Sequence, residues 1–223
     1  MSVKEISTAQ TERRKLRFPV AALLLAGVPF FIGGLLVIQT DTPPSESPLL
    51  GMGSHALWTV GTVLVTSGVV ALLRWIPELR RELAGYFAAG ALGLGVLHGL
   101  QWTTWAYVDV RGSTEVERTE LLLTGIVVPF GAGHLLTYAI LMGTGMALFG
   151  WALQRTTLVR RSVGIVGTVL GLLTVLTATY PLLFALGGGS DGHLSFDIAT
   201  LLLPVLYIWA MVVGIGIARR KFV

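Results

Sequence analysis

An all-α bundle of six transmembrane helices, with both termini in the cytoplasm, is the fold this sequence predicts. Three observations predict it. The 223 residues are 53% hydrophobic and only 13% charged, with a mean hydropathy of +0.76, too apolar for a soluble domain of this length. The apolar residues fall into six continuous runs near 19–39, 56–75, 84–108, 121–153, 162–186 and 196–218, and crossing the hydrocarbon core takes roughly 20 such residues. The basic residues collect at alternate breaks between the runs. Continuous runs point to helices, because barrel strands alternate in hydropathy over about ten residues.

Residues 1–18 form a polar tail in which Lys4, Arg13, Arg14, Lys15 and Arg17 precede the first run. The run 19–39 is long, passes through Pro29 and Gly33-Gly34, and offers no small-residue cleavage site, so it reads as a retained span rather than a signal peptide. Asp41-Thr-Pro-Pro-Ser-Glu-Ser-Pro48 follows as a loop, since its prolines cannot continue a helix and its polar residues cannot enter lipid. The next break holds Arg74, Arg80 and Arg81, and the one from Asp109 to Glu120 holds four acids against Arg111 and Arg118. Residues 154–161 bring Arg155, Arg160 and Arg161, residues 187–195 bring Asp191, and the tail 219–223 brings Arg219, Arg220 and Lys221.

Of the 16 basic residues, only Arg111 and Arg118 fall on the far side. By the positive-inside rule this predicts cytoplasmic termini, three mildly acidic loops outside, and a multi-pass protein of the cell membrane with its transmembrane domain over 19–218. Orientation thus accounts for the pI near 9.8, and nucleic acid is not expected as a partner; the bilayer and other membrane proteins are. The fourth run, at 33 residues, would reach about 50 Å as a straight helix. Pro129 is expected to divide it, leaving 121–128 as an interfacial segment and 130–153 as the span.

Two hairpins echo one another. Ala71-Leu-Leu-Arg-Trp75 with Arg80-Arg81, Gly85 and Gly90 parallels Ala147-Leu-Phe-Gly-Trp151 with Arg160-Arg161, Gly164 and Gly167. Duplication of a helix-loop-helix unit explains the echo, and so does the common need of inward hairpins for a Trp belt and Arg anchors. The second copy extends into Tyr138-Ala-Ile-Leu-Met-Gly143-Thr-Gly145 and, past Arg161, Ser-Val-Gly164-Ile-Val-Gly167-Thr-Val-Leu-Gly171. That stretch resembles the signature of a bacterial and archaeal family of six-helix membrane proteins known as a domain of unknown function. Arg160 stands where that family often has proline. The resemblance implies the six-helix fold and carries over no activity and no functional residues.

Several function classes are excluded by what is missing. Without cysteine there is no disulfide, thiolate site or cysteine nucleophile. The lysines are Lys4, Lys15 and Lys221, all outside the predicted spans, so a retinal Schiff base has no attachment point. No Asp, Glu, Arg or Lys falls deep in a run, which disfavours ion-coupled carriers, proton pumps and voltage sensors. Gly95-xxx-Gly99 and Gly167-xxx-Gly171 read as close-packing motifs within the bundle.

Histidine remains. His98, Gln101, Trp102 and Trp105 share one face of the third helix, and His134, Thr137 and Tyr138 share one face of the fourth. His98 lies ~15 Å below the outer end of its span and His134 at a similar depth, so His98, Gln101, His134 and Tyr138 are expected to meet as one polar cluster. Imidazole suits iron, and the quartet fits axial ligation of a b-type haem or a quinone or lipid pocket. It fits interhelical hydrogen bonding as well, and that plainer reading carries more weight, since a haem bundle more often shows two His pairs or a CxxCH. The cofactor is left open. The leading expectation is a structural or accessory membrane component without enzymatic activity. A binding protein for a hydrophobic cofactor or lipid, with a pocket opening outward between helices three and four, is the alternative; an uncoupled small-molecule transporter is the third.

Overall fold

In the computed structural model the residues described are 3–39, 48–110, 131–186 and 193–222, and they are helical with short connections. The helices are α1 (Val3–Leu25), α2 (Gly27–Gln39), α3 (Pro48–Trp75), α4 (Pro77–Arg80), α5 (Leu83–Val110), α6 (Gly131–Leu153), α7 (Arg161–Leu186) and α8 (His193–Phe222). Six segments are long and apolar enough to cross a membrane: Arg14–Leu36, Gly53–Trp75, Leu83–Thr103, Leu135–Leu153, Arg161–Tyr180 and Ile198–Arg220. The chain is an integral membrane protein of the all-α class. Pro129 and the segment 121–128 lie outside the described residues.

Proline sets the interior boundaries. The first span is made of α1 and α2, interrupted at Ala26; Pro29 lacks an N–H, and its ring crowds the carbonyl of Leu25, the last residue of α1. The polar tail is helical from Val3 onward, in keeping with its content of Glu, Gln, Arg and Lys, all good helix formers. Helix α3 stops at Trp75 because Pro77 pushes Ile76 into extended backbone, at φ −107° and ψ 109°. Ile76 and Leu79 are then buried beneath the bundle and pin the turn. In the matching connection after α6, Leu158 and Val159 are buried in the same way, and Arg220 closes it by donating to the Thr157 carbonyl at 2.6 Å.

Each span packs on its neighbours in the chain, and α8 returns to α1 and α2, so the six spans form a closed ring. An additional contact of α6 with α8 crosses it. The fourth span has 61% of its residues buried and the fifth only 28%, which puts α6 innermost and α7 at the periphery.

The α6–α7 pair is held by backbone touching backbone. A Cβ on Gly143 would stand 2.8 Å from the Gly171 carbonyl oxygen, and one on Gly150 would stand 2.6 Å from the Thr168 nitrogen. Gly164 returns the contact at 2.8 Å from the Gly150 oxygen. Glycine is required here because lipid supplies no hydrophobic drive to associate, leaving close packing and polar bonds to hold helices together. Gln154 Nε2 donates to Thr168 Oγ1 at 2.8 Å along the same seam. Gly167 turns the other way, to receive the Trp209 ring of α8, whose indole donates to the Val163 carbonyl at 2.8 Å. Both glycine motifs named from sequence therefore pack inside the chain, Gly99 doing so against Thr59.

Candidate functional site

The second, fourth and sixth spans converge on three hydroxyls. Thr62 Oγ1 of α3 lies 2.6 Å from Tyr138 OH of α6 and 2.8 Å from Tyr207 OH of α8. The two phenols are 2.7 Å apart. Thr62 Oγ1 also lies 2.9 Å from the Trp58 carbonyl, the acceptor four residues back to which a helical threonine ordinarily donates. Three hydroxyl protons thus face four short oxygen contacts. If the protons circulate around the triangle, the Trp58 carbonyl receives none from Thr62; if Thr62 serves that carbonyl, one edge of the triangle has no hydrogen.

An aromatic column runs outward from this centre. Tyr207 stacks on Phe30 at 4.1 Å, Phe30 on Trp58 at 5.7 Å, Trp58 meets His55 edge-on at 5.3 Å, and His55 stacks on Trp102 at 4.0 Å. The column joins α8, α2, α3 and α5, and such ring pairs contribute beyond their buried area. The Trp58 indole nitrogen is buried and meets no acceptor among the described residues. It presses instead on α2, where a Cβ on Gly33 would come within 2.9 Å of it.

Between α3, α5 and α6 lies a recess lined by His55, Trp58, Thr59, Gly99, Trp102 and Tyr138. It gives ≈ 10 Å³ to the centre of a water molecule, room for about one water.

Of the four residues named from sequence, Tyr138 belongs to both the triangle and the recess. Its hydroxyl partners are Thr62 and Tyr207, from the second and sixth spans. His98 and Gln101 are half-buried on α5, where the recess is lined by their neighbours Gly99 and Trp102. The side chain of His134 lies outside the described residues, as does that of Trp105. Thr62 and Tyr207, which complete the triangle, are not among the candidates the sequence offers. One signal was available: Thr59, Thr62 and Thr66 at i, i+3 and i+7 mark one face of the second span.

Among the described residues the buried polar side chains are Ser54, Thr59, Thr62 and Thr174, joined by the two tyrosines, and none is charged. Nor do three His, Asp or Glu side chains group as a metal site among them. No protein-family model, curated protein or solved structure matches this chain.

Proposed function

We propose that this protein is a structural or accessory component of its membrane that performs no catalysis. What supports the reading is the filled interior: three helices are tied at the bundle centre by hydroxyls alone, and the recess beside them admits about one water. A carrier needs a path or a charged relay at depth, and the described core offers only neutral hydroxyls. The test is reconstitution into vesicles with absorption spectra and native mass spectra of the purified protein. A colourless protein, with no bound molecule that depends on His98 or His134 and no solute flux above empty vesicles, is expected.

A second reading, a binding protein for a hydrophobic cofactor or lipid near helices three and four, is favoured by the position of the recess at the α5–α6 junction. In the same experiment it would appear as a Soret band, or a co-purified quinone or lipid, lost in both His98→Ala and His134→Ala. Facilitated flux without a bound molecule would favour the uncoupled transporter.

We further infer that both termini face the cytoplasm of the cell membrane, from the bias of basic residues. The chain has no cysteine, so Ser113→Cys and Thr156→Cys each introduce a unique reporter. An impermeant thiol reagent on intact cells is expected to label position 113 and spare 156. The reverse pattern overturns the orientation.

A further inference from the structure

We propose that Lys15, Arg74 and Trp75 form a binding site for the phosphate headgroup of an anionic phospholipid. Lys15 lies at the start of the first span and Arg74 at the end of the second, and α1 packs on α3, so both cations stand at one end of the bundle. Both reach the same indole. Lys15 Nζ is 5.1 Å from the centroid of Trp75 and Arg74 Cζ is 5.0 Å from it. The ring attracts each cation, but two like charges gathered on one ring repel one another. No carboxylate is within ion-pair distance of either among the described residues; Glu78, the acid nearest Arg74 in sequence, sits exposed on α4 beyond the break at Ile76.

The echoing hairpin supplies the contrast. Trp151 occupies the same belt position and carries Arg155 at 5.5 Å, yet that guanidinium is answered within the protein by Glu82 at 3.5 Å. At Trp75 the charge is doubled, and none of the described carboxylates answers it. Phosphate groups of lipids lie at this boundary, and basic side chains there draw anionic headgroups. The indole is 39% exposed, and Phe18, one turn further into the span than Lys15, is 59% exposed. Those apolar faces would lie along acyl chains, a contact that free phosphate cannot make.

The experiment is native mass spectrometry of the detergent-solubilised protein titrated with phosphatidylglycerol, phosphatidylcholine or inorganic phosphate. Phosphatidylglycerol is expected to be retained in preference to the other two. Binding should weaken roughly thirty-fold in K15Q/R74Q, and roughly five-fold in each single variant, the scale of one basic side chain at a membrane surface. K15R should keep the lipid, and a thermal melt checks that each variant is folded. R160Q/R161Q removes two exposed charges that the positive-inside bias assigns to the same side and should bind as the unmodified protein does. Equal losses in R160Q/R161Q and K15Q/R74Q would reduce the effect to diffuse surface attraction and overturn the site. Undiminished binding in K15Q/R74Q, or inorganic phosphate held as tightly as the lipid, would overturn it as well.

Discussion

Gly171→Ala is expected to destabilise the bundle by about 2 kcal/mol, in the range for forcing a methyl group into a packed interior. The new Cβ would fall inside 3.0 Å of the Gly143 carbonyl oxygen and of the Ala147 backbone nitrogen. Neither is the end of a flexible side chain, so relief requires α6 and α7 to separate, and the Gln154–Thr168 bond along the seam is strained with it. Alanine's better helix propensity returns about 1 kcal/mol at most. Gly150→Ala is expected to behave alike, its Cβ meeting the Thr168 nitrogen and the Gly164 oxygen at 2.6 and 2.7 Å. Gly90 and Gly93 are the controls, since nothing lies within 4 Å of a Cβ at either; their alanine variants should match or exceed the unmodified protein. Unfolding in mixed micelles with rising dodecyl sulfate gives the comparison, and a Gly171→Ala curve that overlays Gly90→Ala would disprove the backbone-contact seam.

Thr62→Val should cost about 1–3 kcal/mol, more than either Tyr138→Phe or Tyr207→Phe, although a tyrosine hydroxyl is removed in each of the latter. The reason is the count of protons. Removing one phenol leaves two hydroxyls and two contacts, Thr62 to the remaining phenol and Thr62 to the Trp58 carbonyl, so every proton still has a place. The loss should then be near the ~0.6 kcal/mol average for membrane hydrogen bonds. Removing the threonine hydroxyl leaves two phenols sharing one contact, with one proton stranded in the core at the cost of an unpaired buried donor. The same micelle titration on the three variants decides it. Equal costs, or a Tyr→Phe change more damaging than Thr62→Val, would show that another donor or acceptor completes the triangle.

How much of this was legible depends on the range of the interaction. The six spans follow from run length, since each helix must satisfy its own backbone in lipid; the break at Ala26 inside the run 19–39 does not, although Pro29 explains it once seen. The tail before Arg14 is helical although its charges serve orientation, because Glu, Gln, Arg and Lys also favour helix. At the centre, Tyr138 was singled out as a polar group with no place in lipid. Its partners were not, because threonine satisfies itself against its own helix at position i−4 and so looks inert in sequence, while Tyr207 sits within an otherwise apolar run. That the second, fourth and sixth spans share an axis is decided by ring closure across the chain, which no local pattern shows. Glycine spacing was legible as close packing, but not that Gly167 faces Trp209 while Gly164 and Gly171 face α6.

The closed ring also imposes an order on biosynthesis. Helices enter the membrane from the N-terminus onward, and contacts between consecutive spans can form as each hairpin emerges, with little loop entropy to overcome. The last helix is different: α8 brings Tyr207 to Thr62 and Tyr138, sets its ring on Phe30, and seats Trp209 on Gly167. Before it docks, Thr62 and Tyr138 lack their third hydroxyl and Gly167 its ring. Insertion of α8 and concealment of the polar centre are therefore the same event.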